Sequence, residues 1–137
     1  MSTIAPFEFT ISVNASDIDR LNHVNNVAFV RMVQDAALKH WFHIAPAHAH
    51  DEIIWVCRRH EIDYLKPAFL DQILHIKTWV GDPIGATWER LTEISRADDG
   101  TVLLKARTVW VLLDAKSGRP RRVDTVIKSW FEGRAVN

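Results

Sequence analysis

The sequence contains one cysteine, Cys57, so an internal disulfide framework is excluded and a reducing compartment fits. It carries no net charge, with Lys and Arg numbering 17 and Asp and Glu also 17. That balance excludes the broad basic footprint of a nucleic-acid binder. No apolar run approaches the roughly 18 residues needed to cross a bilayer, and the N-terminus lacks the basic-then-apolar pattern of a signal peptide. Internal repeats, low-complexity segments and any composition break that would mark a second domain are also missing. What is there is a chain of 137 residues, 47% of them apolar. A chain of that size buries roughly two thirds of its unfolded surface without help from a metal or a disulfide. One cytoplasmic domain over residues 1–137, with neither a nucleic acid nor a membrane as partner, is the expectation.

Along the chain, Phe7, Phe9, Ile11 and Val13 alternate with polar residues, the period of a half-buried strand. A polar stretch from Asn14 to Asn22 breaks that pattern. From Val24 to about Phe42 the period is helical. Arg31, Asp35 and Lys39 form one charged stripe, and apolar residues from Val27 to Trp41 occupy nearly all the rest, as in a buried helix. Asn25 or a neighbour supplies the N-cap. A small-residue, His-containing loop with Pro46 then runs from Ile44 to Asp51.

Strand patterns follow: Ile53 to Leu65, closed by Pro67; Leu74 to Val80, closed by Gly81-Asp82-Pro83; and a strand with Trp88, Arg90, Thr92 and Ile94 on one face. After the hairpin signal Asp98-Asp99-Gly100 comes Val102 to Leu113, the most apolar strand. Asp124 caps a short amphipathic helix that turns Val126, Ile127, Trp130 and Phe131 to the core. Short turns between strands favour antiparallel pairing. The order predicts an α+β fold: a five-stranded antiparallel sheet curled around one long central helix, with a short C-terminal helix.

The densest chemistry lies in Ser16-Asp17-Ile18-Asp19-Arg20-Leu21-Asn22-His23-Val24-Asn25-Asn26, just ahead of the long helix. Such a cluster is first of all a turn and a helix cap, because Asp and Asn side chains bond nearby backbone. This stretch, with an aromatic at Phe29, resembles the hotdog-fold acyl-CoA thioesterases of the 4-hydroxybenzoyl-CoA thioesterase type. Glu61-Ile62-Asp63-Tyr64-Leu65-Lys66-Pro67-Ala68 resembles the second strand of that family and its Pro-Ala end. Asn22 stands where the bacterial enzymes usually have Gly, and Asn is the residue that best tolerates a positive φ. Phe29 replaces a common Tyr, which removes any hydroxyl there. The Asn-His-Val-Asn-Asn string is also similar to plant acyl-ACP thioesterases, so the carrier stays open.

The resemblance implies thioester hydrolysis with Asp19 as catalytic carboxylate, nucleophile or general base, and with the backbone N–H near Asn26 polarising the thioester carbonyl. Asp17 is structural. His23 orients a water or Asp19, or closes the turn; Asn25 and Asn26 are caps. Cys57 has no feature of a reactive thiolate; by resemblance it lines the acyl pocket with Trp55. Of the basic clusters, Arg119, Arg121 and Arg122 are the candidates for the CoA phosphates. His40, His43, His48 and His50 lack the ordered spacing of a metal site and read as solvated or loop-packing histidines; no metal or cofactor is implied. A lone curled sheet leaves an exposed edge, and the resemblance implies a homodimer or homotetramer with a pocket between subunits. The competing function is a non-catalytic acyl- or CoA-binding hotdog protein. A hotdog dehydratase lacks its His and Asp or Glu in a Gly-Pro-rich context here.

Overall fold

The structure, a computed structural model, describes residues 5–133; the ends of the expected 1–137 domain lie outside the described residues. Five strands, β1 (Phe7–Ser12), β2 (Ile53–Tyr64), β3 (Ile73–Val80), β4 (Thr87–Arg96) and β5 (Val102–Asp114), form one antiparallel sheet in the order β1-β3-β4-β5-β2. The helices are α1 (Asn26–Ile44), α2 (Ala47–Glu52) and α3 (Thr125–Phe131). No helix is long and apolar enough to cross a membrane among the described residues.

The alternation that marks β3 and β4 in the sequence sends every second side chain into the core, where Ile76 faces Ile94 and Ile94 faces Leu104 across adjacent strands. The first half of α1 lays Ala28, Phe29, Met32, Val33 and Ala36 on this patch. Each large apolar side chain buried there stabilises the fold by about 1.5–3 kcal/mol relative to leaving it in water. The second half packs Trp41 and Ala45 into another cluster with Trp88, Leu112, Ile127 and Phe131. Four elements also bury polar groups: His40 from α1, Thr78 from β3, Arg90 and Thr92 from β4, Thr108 from β5.

Several expectations need correction. The helix begins at Asn26 rather than Val24, because the Val24 N–H is taken by the Ala68 carbonyl and Val24 pairs with Ile18. It is not buried all round: Val27 is 79% exposed, and Leu38 and Phe42 are also exposed, since the five strands cover only part of its circumference. The expected loop from Ile44 to Asp51 contains α2, with Pro46 as its N-cap. Only Ile127 and Phe131 of α3 are buried, while Trp130 is half-buried and Val126 is 58% exposed on the outer side. The strand after the loop carries a bulge at Arg58, where the pairing with β5 slips by one residue.

Candidate active site

Asp17 and Asp19 sit two residues apart in environments that separate their roles. Asp17 is 1% exposed at the end of a 3-10 turn over Ala15–Asp17. Its Oδ1 accepts from Arg31 Nη2 at 2.6 Å and its Oδ2 from the Asn14 N–H at 3.0 Å. Burial pushes its pKa up, but the hydrogen bond from Arg31, that from Asn14 and the Arg31 charge together outweigh it, so the carboxyl lies below its ordinary value. Arg31 reaches Asp35 only at 3.9 Å, so it serves the turn more than the helix stripe. Asp17 is an ionised strut. Its carbonyl accepts both the Asn25 N–H (2.9 Å) and Asn25 Nδ2 (3.1 Å), which ties the turn to the head of α1.

Asp19 is exposed. Its N–H donates to the His23 carbonyl at 2.9 Å and its carbonyl accepts from the Asn22 N–H at 3.1 Å, closing a tight turn. Asn22 adopts φ 62°, the left-handed conformation expected where relatives of this kind carry Gly. Asp19 Oδ1 accepts from the Leu21 N–H at 2.8 Å, and Oδ2 has no partner among the described residues. One carboxylate oxygen is thus fixed, and the other is unpartnered among the described residues.

Asn25 caps α1, its Oδ1 accepting from the Ala28 N–H at 2.7 Å, while its carbonyl accepts from the Phe29 N–H. Of the four N–H groups that a helix leaves unpaired at its start, those of Asn26 and Val27 have no partner among the described residues. They mark the positive end of the helix dipole, where developing negative charge is stabilised. A cleft of about 220 Å³ opens there, lined by His23, Val24, Asn26, Phe29 and the end of β2 from Tyr64 to Pro67. His23 lies edge-on to Phe69, ring centroids 5.2 Å apart. Its backbone carbonyl closes the Asp19 turn, and its imidazole makes no hydrogen bond among the described residues.

The other expected site residues lie elsewhere in the chain. Trp55 pairs with Leu112 and Tyr64 with Leu104, so Trp55 and the neighbouring Cys57 sit roughly 25–30 Å along β2 from the cleft. Cys57 donates its thiol to the Arg59 carbonyl, and burial pushes its pKa up, the setting of an inert thiol. Arg119, Arg121 and Arg122 follow β5 at the end remote from Tyr64, where Arg121 borders a cleft with Asp51, Glu52 and Asp114. Within one chain neither group meets Asp19.

The histidines split. His40 is not solvated as expected but 2% exposed, with Nδ1 3.0 Å from Arg90 Nη1. Burial, then the Arg90 charge, then His43 lower its pKa from 6.5 to about 3, so it is neutral and accepts from the guanidinium. No three His, Cys, Asp or Glu side chains converge as metal ligands among the described residues. Arg90 itself was not singled out in the sequence; its one signal is that it shares a strand face with Trp88, Thr92 and Ile94.

The sheet wrapped around α1 is the hotdog fold, and solved hotdog thioesterases superpose on it closely. A thioesterase from Thermus thermophilus complexed with coenzyme A and Zn aligns with a TM-score of 0.81 at 24% identity, over 98% of both chains. The 1,4-dihydroxy-2-naphthoyl-CoA thioesterase Slr0204 of Synechocystis aligns with a TM-score of 0.80 at 17% identity, over 93% of this chain and 96% of that one. The thioesterase-like superfamily profile matches residues 13–131, and the chain belongs to that superfamily. A curated relative, the acyl-CoA thioester hydrolase YbgC of Escherichia coli, is 26% identical over 92% of this chain and 96% of its own length. The protein is a thioesterase, as the resemblance of the Ser16–Asn26 stretch implies.

Proposed function

We propose that the protein hydrolyses acyl-CoA thioesters to free acid and CoA, with Asp19 as the reacting carboxylate. The observation that carries this reading is a half-free Asp19 carboxylate in the turn that leads into a helix head with two unpartnered N–H groups, in a chain of the thioesterase-like superfamily. The thioester carbonyl oxygen docks on the Asn26 and Val27 N–H groups. Asp19 takes a proton from water as the water oxygen bonds to the carbonyl carbon, and negative charge collects on the carbonyl oxygen. Collapse breaks the C–S bond, and the thiolate recovers the proton from Asp19. Direct attack by Asp19, through an anhydride that water then opens, uses the same groups. Removing one such N–H donor typically costs about 10²–10³ in rate, so the helix head matters as much as the carboxylate.

The working unit is a cytoplasmic homodimer or homotetramer with sites shared between copies. The outer edge of β2 is unpaired among the described residues, and Ile54 and Val56 are exposed along it, an edge that a second copy would cover. One copy contributes Asp19, His23, Asn25 and Asn26; the other contributes Trp55 and Cys57 beside the acyl group. Arg119, Arg121 and Arg122 hold the CoA phosphates. Thiol release measured over short, long and aromatic acyl-CoAs tests the reaction, and one acyl chain offered on CoA and on ACP tests the carrier. Ligand-dependent thermal stabilisation without any thiol release would establish a binding protein instead.

A further inference from the structure

We propose that the cavity at Arg90 reads the far end of the acyl group and selects acyl chains that carry a carboxylate remote from the thioester. This rests on the thioester-hydrolysis reading above. Arg90 is 5% exposed, and no carboxylate pairs with it among the described residues. Its Nη1 donates to His40 Nδ1 and to Thr78 Oγ1, both at 3.0 Å. Both acceptors are neutral, and the guanidinium carbon lies 5.9 Å over the Phe131 ring. Burial lowers the guanidinium pKa to about 9, which still leaves it charged near neutral pH.

Trp55 Nε1 is buried without a partner among the described residues. Arg90 and Trp55 line one cavity with Trp41, Trp88, Trp110 and Phe131. About 30 Å³ of it admits a water-sized group, within about 360 Å³ of space partly open to solvent, and the exposed Leu38 is among its lining residues. A buried charge without a counter-ion is unfavourable, and an apolar side chain of similar volume would ordinarily be no worse for the fold. An unpartnered indole N–H and a guanidinium without a counter-ion, lining one aromatic-walled cavity, suit an acceptor with apolar flanks. A carboxylate fits both: it neutralises the guanidinium and offers oxygens in the fork geometry that Arg recognises. An alkanoyl tail would leave the indole N–H unpaired and the guanidinium without a counter-ion, which is how a polar site rejects an analogue lacking its group.

The test compares dicarboxylyl-CoA esters, succinyl to sebacoyl, with alkanoyl-CoA esters of the same carbon number. At the best chain length the wild-type protein should favour the dicarboxylyl ester in kcat/KM by at least about tenfold. Arg90→Met should bring that ratio near one, and Arg90→Lys should keep part of it. Equal kcat/KM for both series in the wild type, or a preference that survives Arg90→Met, overturns the inference while leaving thioester hydrolysis intact. If no acyl-CoA is hydrolysed, the proposed function fails and binding decides the rest. Free suberate should then raise the Tm of the wild type more than octanoate does, and should not raise that of Arg90→Met. No stabilisation by suberate overturns the inference.

Discussion

Lowering the pH from about 7.5 to about 5 should cost the fold about 2 kcal/mol through one residue, His40. In the unfolded chain its imidazole titrates at the ordinary 6.5, and in the fold at about 3, because it is buried and faces the Arg90 guanidinium. Between those values the unfolded chain binds a proton that the native one does not. Stability therefore falls as pH drops below about 6.5 and is restored as pH rises. Each unit of that interval corresponds to about 1.4 kcal/mol, and at pH 5 about one and a half units have been crossed. Asp17 does not confuse the window, since a carboxyl held below its ordinary 3.8 loses its contribution only in stronger acid. Urea unfolding at both pH values, on the wild type and on His40→Gln, isolates the effect. Gln keeps an acceptor for Arg90 but does not titrate, so the variant should lose most of the acid sensitivity. An equal loss in both proteins would refute the assignment of a buried neutral imidazole.

Three further outcomes follow from the turn and the helix head. Asn22→Gly should be close to neutral, whereas Asn22→Ala should lose about 1 kcal/mol or more at φ 62°, read by thermal unfolding. Arg31→Met strips the counter-ion from a carboxylate 1% exposed to solvent. Because Arg31 is itself half exposed, it should destabilise by about 1–2 kcal/mol at neutral pH, with the deficit shrinking in acid as Asp17 takes up a proton. Asn25→Ala loses a cap worth about 1 kcal/mol together with the tie to the Asp17 carbonyl, so turnover should fall more than stability does.

The site was legible where its signal is local. Asp17 to Asn26 lie within one turn of chain, so the cap at Asn25 and the positive φ at Asn22 follow from residue chemistry alone. The strands were legible for a similar reason, since alternation maps directly onto the two faces of β3 and β4. The helix α2 was not, because six residues are too few for a 3.6-residue period to show. Val126 follows the helical pattern yet faces outward, since Ile127 and Phe131, with Trp130 half-buried, form the inner side of α3. The layer around Arg90 and His40 was invisible for a different reason. It is assembled from three strands and a helix, and parity along one strand cannot reveal that an arginine meets a histidine fifty positions away. The distance between Trp55 and Asp19 in one chain likewise emerges only from the register of β2 on β5.

The most direct measurement is the turnover of Asp19→Asn against wild type on the best acyl-CoA found in the panel, with Tm and oligomeric state recorded alongside. Asp19 is exposed and its backbone makes the turn, and Asn retains an acceptor for the Leu21 N–H. Fold and assembly should be unchanged while kcat falls by about 10²-fold or more. A kcat within a few-fold of wild type in a protein that remains folded would contradict the account.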